Sequence, residues 1–62
     1  MRKQTAKDKL LDAGEALLLV DGYSQTSVEA VCDRAGVTKG SLYHYFKTKE
    51  DLGLAVLERW LL

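Results

Sequence analysis

The 62-residue sequence has no proline and no isoleucine, a single cysteine, a single histidine, and no apolar run longer than Ala16 to Val20. Each absence excludes something. One cysteine forms no internal disulfide, and no Cys/His cluster supplies a metal site, so the staples of small secreted domains are missing. The basic pair Arg2 and Lys3 is followed by Gln4, Thr5, Lys7, Asp8 and Lys9 instead of an apolar stretch, which argues against a signal peptide or a membrane span and for a cytoplasmic protein. A barrel or a dinucleotide fold needs on the order of 200 residues, so most enzyme architectures are out of reach and a binding module is favoured. No cofactor is expected.

What is present is helix-forming. Leu and Ala fill 17 positions against nine for Val and Thr together, which points to an all-α fold without repeats or linkers. Three helix starts share one signature, a Thr followed three residues later by an acid: Thr5 with Asp8, Thr26 with Glu29, and Thr48 with Asp51. The first helix is expected over Ala6 to Asp21, with Leu10, Ala13, Gly14, Leu17 and Leu18 as its core stripe, Leu11 and Leu19 off it, and Gly22 as a left-handed stop that lets Tyr23 pack back on the last turn. The second runs from Ser27 to about Arg34, presents Val28, Val31, Cys32 and Ala35, and stops at Gly36. A short third helix follows over Thr38 to Tyr45. A fourth begins at Lys49, with Leu52, Ala55, Val56 and Trp60 on its inner face and an uncapped end at Trp60, Leu61 and Leu62 that reads as a helix interrupted.

Nine cations balance nine anions, yet they are not mixed. Arg2, Lys3, Lys7 and Lys9 crowd the start with only Asp8 among them, and Arg34, Lys39, Lys47 and Lys49 occupy a stretch without any acid. Between them Asp12, Glu15, Asp21, Glu29 and Asp33 stand without a cation. Two basic segments brought together by the fold would make one positive face, the footprint of a polyanionic partner; a plain solvated surface is the other reading.

Ser27 to Tyr45 has the dimensions of a helix-turn-helix, two short helices joined by a glycine-containing turn. Cys32 and Ala35 are small where the helices must cross, and Val31, Val37 and Leu42 are spaced to meet there. Thr38, Lys39, Gly40 and Ser41 open the second of these helices with small donors and one cation, a pattern suited to a major groove, where an ammonium meets guanine O6 or N7. Tyr43, His44 and Tyr45 offer donors to phosphate oxygens, while Leu42 and Phe46 point inward. Ser41 and His44 lie within reach of each other, but no acid is placed to orient the imidazole, so catalysis is not expected. Cys32 reads as a small buried hydrophobe.

The stretch Gly22-Tyr23, Thr26-Ser27-Val28 and Ala35 through Leu52 resembles the DNA-binding domain of the tetracycline-repressor (TetR) family of bacterial transcription regulators. The resemblance implies a three-helix bundle over residues 1–48, with residues 49–62 starting a helix that links to a C-terminal effector-binding and dimerisation domain beyond this sequence. It implies a ligand-responsive repressor that binds double-stranded DNA as a homodimer at a palindromic operator, with a small-molecule effector in that other domain. By the same resemblance, Lys39, Gly40 and Ser41 lie at base edges with Val28 at a second base-proximal position, and Ser27, Thr38, Tyr43, Tyr45 and Lys49 lie on phosphates, with His44 beside them. Tyr45 stands where many members carry His, and Val28 is apolar where some place a polar reader. The competing reading is a helical protein-interaction module using Leu19, Val20, Leu54 and the Trp60 to Leu62 end. The concentration of cations argues against it.

Overall fold

A computed structural model describes residues 5–61; Arg2, Lys3 and Leu62, which entered the basic segment and the apolar end above, lie outside them. Four helices follow in order: α1 (Ala6–Asp21), α2 (Val28–Ala35), α3 (Lys39–Tyr45) and α4 (Lys49–Leu61). The four-helix expectation therefore holds over the described residues, which contain no strand. α1 packs against each of the other three, and α2 packs on α3 to form the helix-turn-helix pair.

The helix starts show which signatures the backbone uses. At α1 the capping box is complete: the Asp8 N–H donates to the Thr5 hydroxyl and the Thr5 N–H to the Asp8 carboxylate. The α4 start follows the same rule on one side, with the Asp51 N–H donating to the Thr48 hydroxyl. The α2 start departs from expectation. Ser27, not Thr26, is the cap and accepts from the Ala30 N–H, because Thr26 is buried and its hydroxyl donates to the Gly22 carbonyl at 2.8 Å. A buried hydroxyl without a partner is costly, so Thr26 seals the α1–α2 turn and leaves the exposed Ser27 to begin the helix.

The stops differ as well. Gly36 is in the left-handed region (φ 72, ψ 32), and its N–H and that of Val37 close the last turn of α2 on the Cys32 carbonyl. Gly22 has a positive φ of 83, but its ψ of 164 is extended, so it ends α1 outside the left-handed helical geometry expected for it.

Leu10, Val31, Leu42 and Val56 are fully enclosed, one from each helix, and Leu11, Ala13, Cys32, Phe46 and Leu52 complete the core. Burying a side chain of this size contributes about 1.5 to 3 kcal/mol, so these four centre the stability of a small domain. Leu11 belongs to this core although it lies off the single stripe, because a helix with three neighbours buries a wider arc than a helix with one. Leu17 and Leu18, expected in the stripe, are only half-buried, and Trp60 stays exposed with its indole N–H donating to the Glu15 carboxylate. Tyr23 also meets α4: its ring lies against Gly53, whose missing Cβ would sit 3.3 Å from the ring, and it shares a groove with Leu18 of the last turn of α1.

Candidate nucleic-acid interface

α2 and α3 are short, and their positions are fixed by what they bury. Val31 and Cys32 on α2 meet Leu42 on α3, and Phe46 closes the far end, so the remaining faces turn outward with their polar groups. At the α2 start the Ser27 oxygen accepts from the Ala30 N–H at 3.1 Å, and at the α3 start the Thr38 oxygen accepts from the Ser41 N–H at 3.1 Å. Capping uses the acceptor side of each hydroxyl and leaves its O–H donor for an external acceptor. Both residues are exposed, as are Lys39 and Gly40, and Ser41 is half-exposed. Around the Cβ position of Gly40 only the Thr38 hydroxyl comes within 4 Å, so the backbone there is open to close approach.

Further along α3, Tyr43, His44 and Tyr45 are all exposed while Leu42 and Phe46 between and beyond them are buried. The His44 and Tyr45 rings meet edge to face at 4.8 Å, which restricts both to one side of the helix end. Val28 is half-buried and rests against the core, so its side chain has a packing role in the free protein.

The two lysines named from the sequence sit in different environments. Lys39 forms an ion pair with Glu29 across the α2–α3 turn, at 2.9 Å, with both side chains more than half exposed. The bond to Lys39 is the main reason the Glu29 carboxyl is held below the usual range, and the same bond raises the Lys39 ammonium. Lys49 instead reaches back from α4: its ammonium donates to the Tyr23 and Thr26 carbonyls at 3.0 Å each and lies 4.3 Å above the Tyr23 ring. It clasps the α1–α2 turn next to the Ser27 cap. Tyr23 also meets Glu50; its phenol is shifted upward chiefly by burial and then by that carboxylate.

The structure thus gathers Ser27, Val28, Thr38, Lys39, Gly40 and Ser41 around the two helix starts and sets Tyr43, His44 and Tyr45 along α3, while Lys49 stands at the turn. Glu29 and Tyr23 are the participants that the sequence marked for helix punctuation and packing but not for the site. Glu29 and Lys39 are ten positions apart on different helices, a spacing no periodicity reports. Among the described residues no group of three or more His, Cys, Asp and Glu is placed to hold a metal ion, and no helix is long and apolar enough to cross a membrane.

Comparison with known proteins agrees on where the resemblance lies. The signature of the family described as "Bacterial regulatory proteins, tetR family" matches residues 10–56. The chain is 44% identical over 55 residues to the transcriptional regulator AcuR of Cereibacter sphaeroides, covering 89% of this chain and 25% of that protein. It is 44% identical over 62 residues to the HTH-type transcriptional repressor NemR of Escherichia coli K12 (95% and 31%), and 39% identical over 51 residues to the HTH-type transcriptional regulator QacR of Staphylococcus aureus (82% and 27%). The chain therefore spans about a quarter to a third of the relatives it matches. No solved structure matches it at a significant level.

Proposed function

We propose that this chain, which belongs to the tetR family of bacterial regulatory proteins, is the DNA-reading head of a cytoplasmic transcription regulator. The observation that carries the proposal is the composition of one surface: residues 34 to 49 hold four cations and no acid, and the structure exposes Lys39, Tyr43, His44, Tyr45 and Lys47 from that stretch beside two capping hydroxyls with unused donors. Such a surface suits phosphates flanking a major groove, with Ser27, Thr38, Tyr43, His44 and Tyr45 setting register and Lys49, first expected on a phosphate, holding the α1–α2 turn beside the Ser27 cap. Lys39, Gly40 and Ser41 would meet base edges, and Val28 a thymine methyl. The names of NemR and QacR support regulation of transcription, and NemR's supports repression.

Relatives three to four times as long suggest that the head acts within a larger protein, and residues 49–62 would start the helix leading to an effector-binding, dimerising domain. Dimerisation would pair two heads on a palindrome and make the second contact intramolecular. Selection of duplexes from a random library by two copies of the chain fused to an unrelated dimerising helix, followed by salt titration, tests all of this. The expected result is an inverted repeat whose affinity falls steeply with salt, each neutralised phosphate adding about 0.9 to the log-log slope. Selected sites without a repeat would remove the dimer, and a flat salt response would remove DNA binding.

A further inference from the structure

We infer that Glu29 is a positioning residue that sets base preference by controlling Lys39. The inference rests on the DNA-binding reading above. Lys39 is the cation nearest the α3 start, and a lysine is a flexible point charge with three donors, able to pair with any phosphate or any acceptor on a base edge. By itself it would add affinity with less discrimination.

The Glu29 carboxylate changes that. It sits on the first turn of α2, bonded to the Lys39 ammonium at 2.9 Å, so it both fixes where the ammonium stands and neutralises it. A phosphate that takes a Lys39 donor is brought close to the Glu29 carboxylate and repelled by it, and one that draws the ammonium away exchanges one full negative charge for another and leaves the carboxylate facing the polyanion. Such an exchange gains little. A guanine edge offers two acceptors, O6 and N7, and an ammonium can donate to both while its third donor stays on the carboxylate. The pair therefore favours a base edge that accepts without demanding that the ion pair break. The mutual shifts of the two groups, Glu29 down and Lys39 up, show that each stabilises the charged form of the other.

No other described cation is ion-paired to a residue of α2 or α3. The remaining ion pair, Arg59 with Asp12 at 2.8 Å, joins α4 to α1 on another part of the molecule. The control is thus aimed at one ammonium.

The test compares the unsubstituted chain with Glu29→Gln, Glu29→Asp, Lys39→Ala and Glu29→Gln/Lys39→Ala by selection from a random duplex library, with salt titration on bulk duplex. Glu29 is exposed, and melting curves establish that the variants fold. Expected for Glu29→Gln is a loss of about threefold to fivefold in preference at one base pair, the modest coupling typical of an exposed contacting pair. All other positions keep their preference. The slope on bulk duplex should steepen by about 0.9, because the released Lys39 now neutralises a phosphate. Glu29→Asp retains the charge and should restore most of the preference, and Glu29→Gln should have no further effect on preference once Lys39 is Ala. Unchanged preference and slope in Glu29→Gln would overturn the inference while leaving DNA binding intact, as would an equal change at every base pair. Absence of DNA binding by the unsubstituted chain would overturn both readings together.

Discussion

The α2–α3 side and the α1–α4 side of this small domain obey the same helical periodicity and end with opposite surfaces. On the first, the apolar residues Val31, Cys32, Leu42 and Phe46 are all enclosed, and what remains outside carries hydroxyls, phenols, an imidazole, cations and the two α2 acids Glu29 and Asp33. On the second, Leu54, Leu57 and Trp60 stay exposed along an apolar groove that Leu18 and Tyr23 also line. The first side is held by local devices, a left-handed Gly36 and two capping hydroxyls. The second has its own local caps at Thr5 and Thr48 and adds long-range ties, Arg59 to Asp12, Trp60 to Glu15 and Lys49 to the α1–α2 turn. The difference shows that helix spacing decides what faces the core but not what the rest of the surface is for; the identity of the exposed residues decides that.

The sharpest way to break the comparison is to remove one leucine from each side. Leu42 is fully enclosed, and truncation to Ala deletes buried methyl groups and leaves a cavity where α3 crosses α2, at a cost of about 2 to 5 kcal/mol. A domain this small has little stability to spare, so Leu42→Ala should be largely unfolded at 37 °C. Leu54 is 60% exposed, and Leu54→Ala should change stability by about 0.5 kcal/mol or less. Thermal melts followed by circular dichroism measure both. Similar losses would mean that the two sides are packed alike.

The contrast also marks what the sequence made legible. All four helices follow from apolar spacing together with Thr and Gly punctuation, and the burial of Leu42 and Phe46 follows from their positions around Tyr43 to Tyr45. Local chemistry is enough for these. It fails where the folded geometry and not the spacing decides: Thr26 is a cap by its spacing to Glu29, but the burial of the turn gives its hydroxyl to the Gly22 carbonyl four residues back. Leu11 is off the stripe until a third neighbour covers it. Lys49 and Lys39 look equivalent in a run of cations, and only the fold assigns one to a turn and the other to Glu29.

That last distinction yields the intermediate prediction. Lys49→Met keeps the aliphatic stem but removes the donors from the Tyr23 and Thr26 carbonyls, which should cost about 1 kcal/mol and lower the melting temperature by roughly 4 to 8 °C. Its effect on DNA affinity should be uniform across sequences, since it acts on the turn beside the Ser27 cap. Lys39→Ala should leave the melt nearly unchanged and reduce discrimination at one base pair by about tenfold or more. A Lys49→Met chain that melts like the unsubstituted one yet binds DNA poorly would assign its ammonium to phosphate and erase the contrast between the two lysines.

The smallest effect separates the outer and inner faces of α2 by pH. On the outer face Glu29 is held below its ordinary value, first by its bond to Lys39, so its contribution is present above the ordinary carboxylate range of about 4.3 and fades as pH falls through the lowered value. Lys39 is raised by the same bond, and its contribution is present below about 10.4 and fades only above that. On the inner face Cys32 is raised, mainly by burial, so the folded chain prefers the neutral thiol; stability from that preference is present below about 8.5 and fades as pH rises through the raised value. Stability should therefore form a plateau through neutral pH with a shallow acid limb and an alkaline limb beginning with the thiol. Melting curves across this range should show Glu29→Gln flattening part of the acid limb and, on the alkaline side, removing only the Lys39 share above about 10.4, while Cys32→Ala leaves the acid limb alone and removes the alkaline onset near about 8.5 whatever its effect at neutral pH. An alkaline limb that survives in Cys32→Ala would have to come from Lys39 or from Tyr23, whose phenol is also raised, and would move the pH response from the buried side of α2 to the surface.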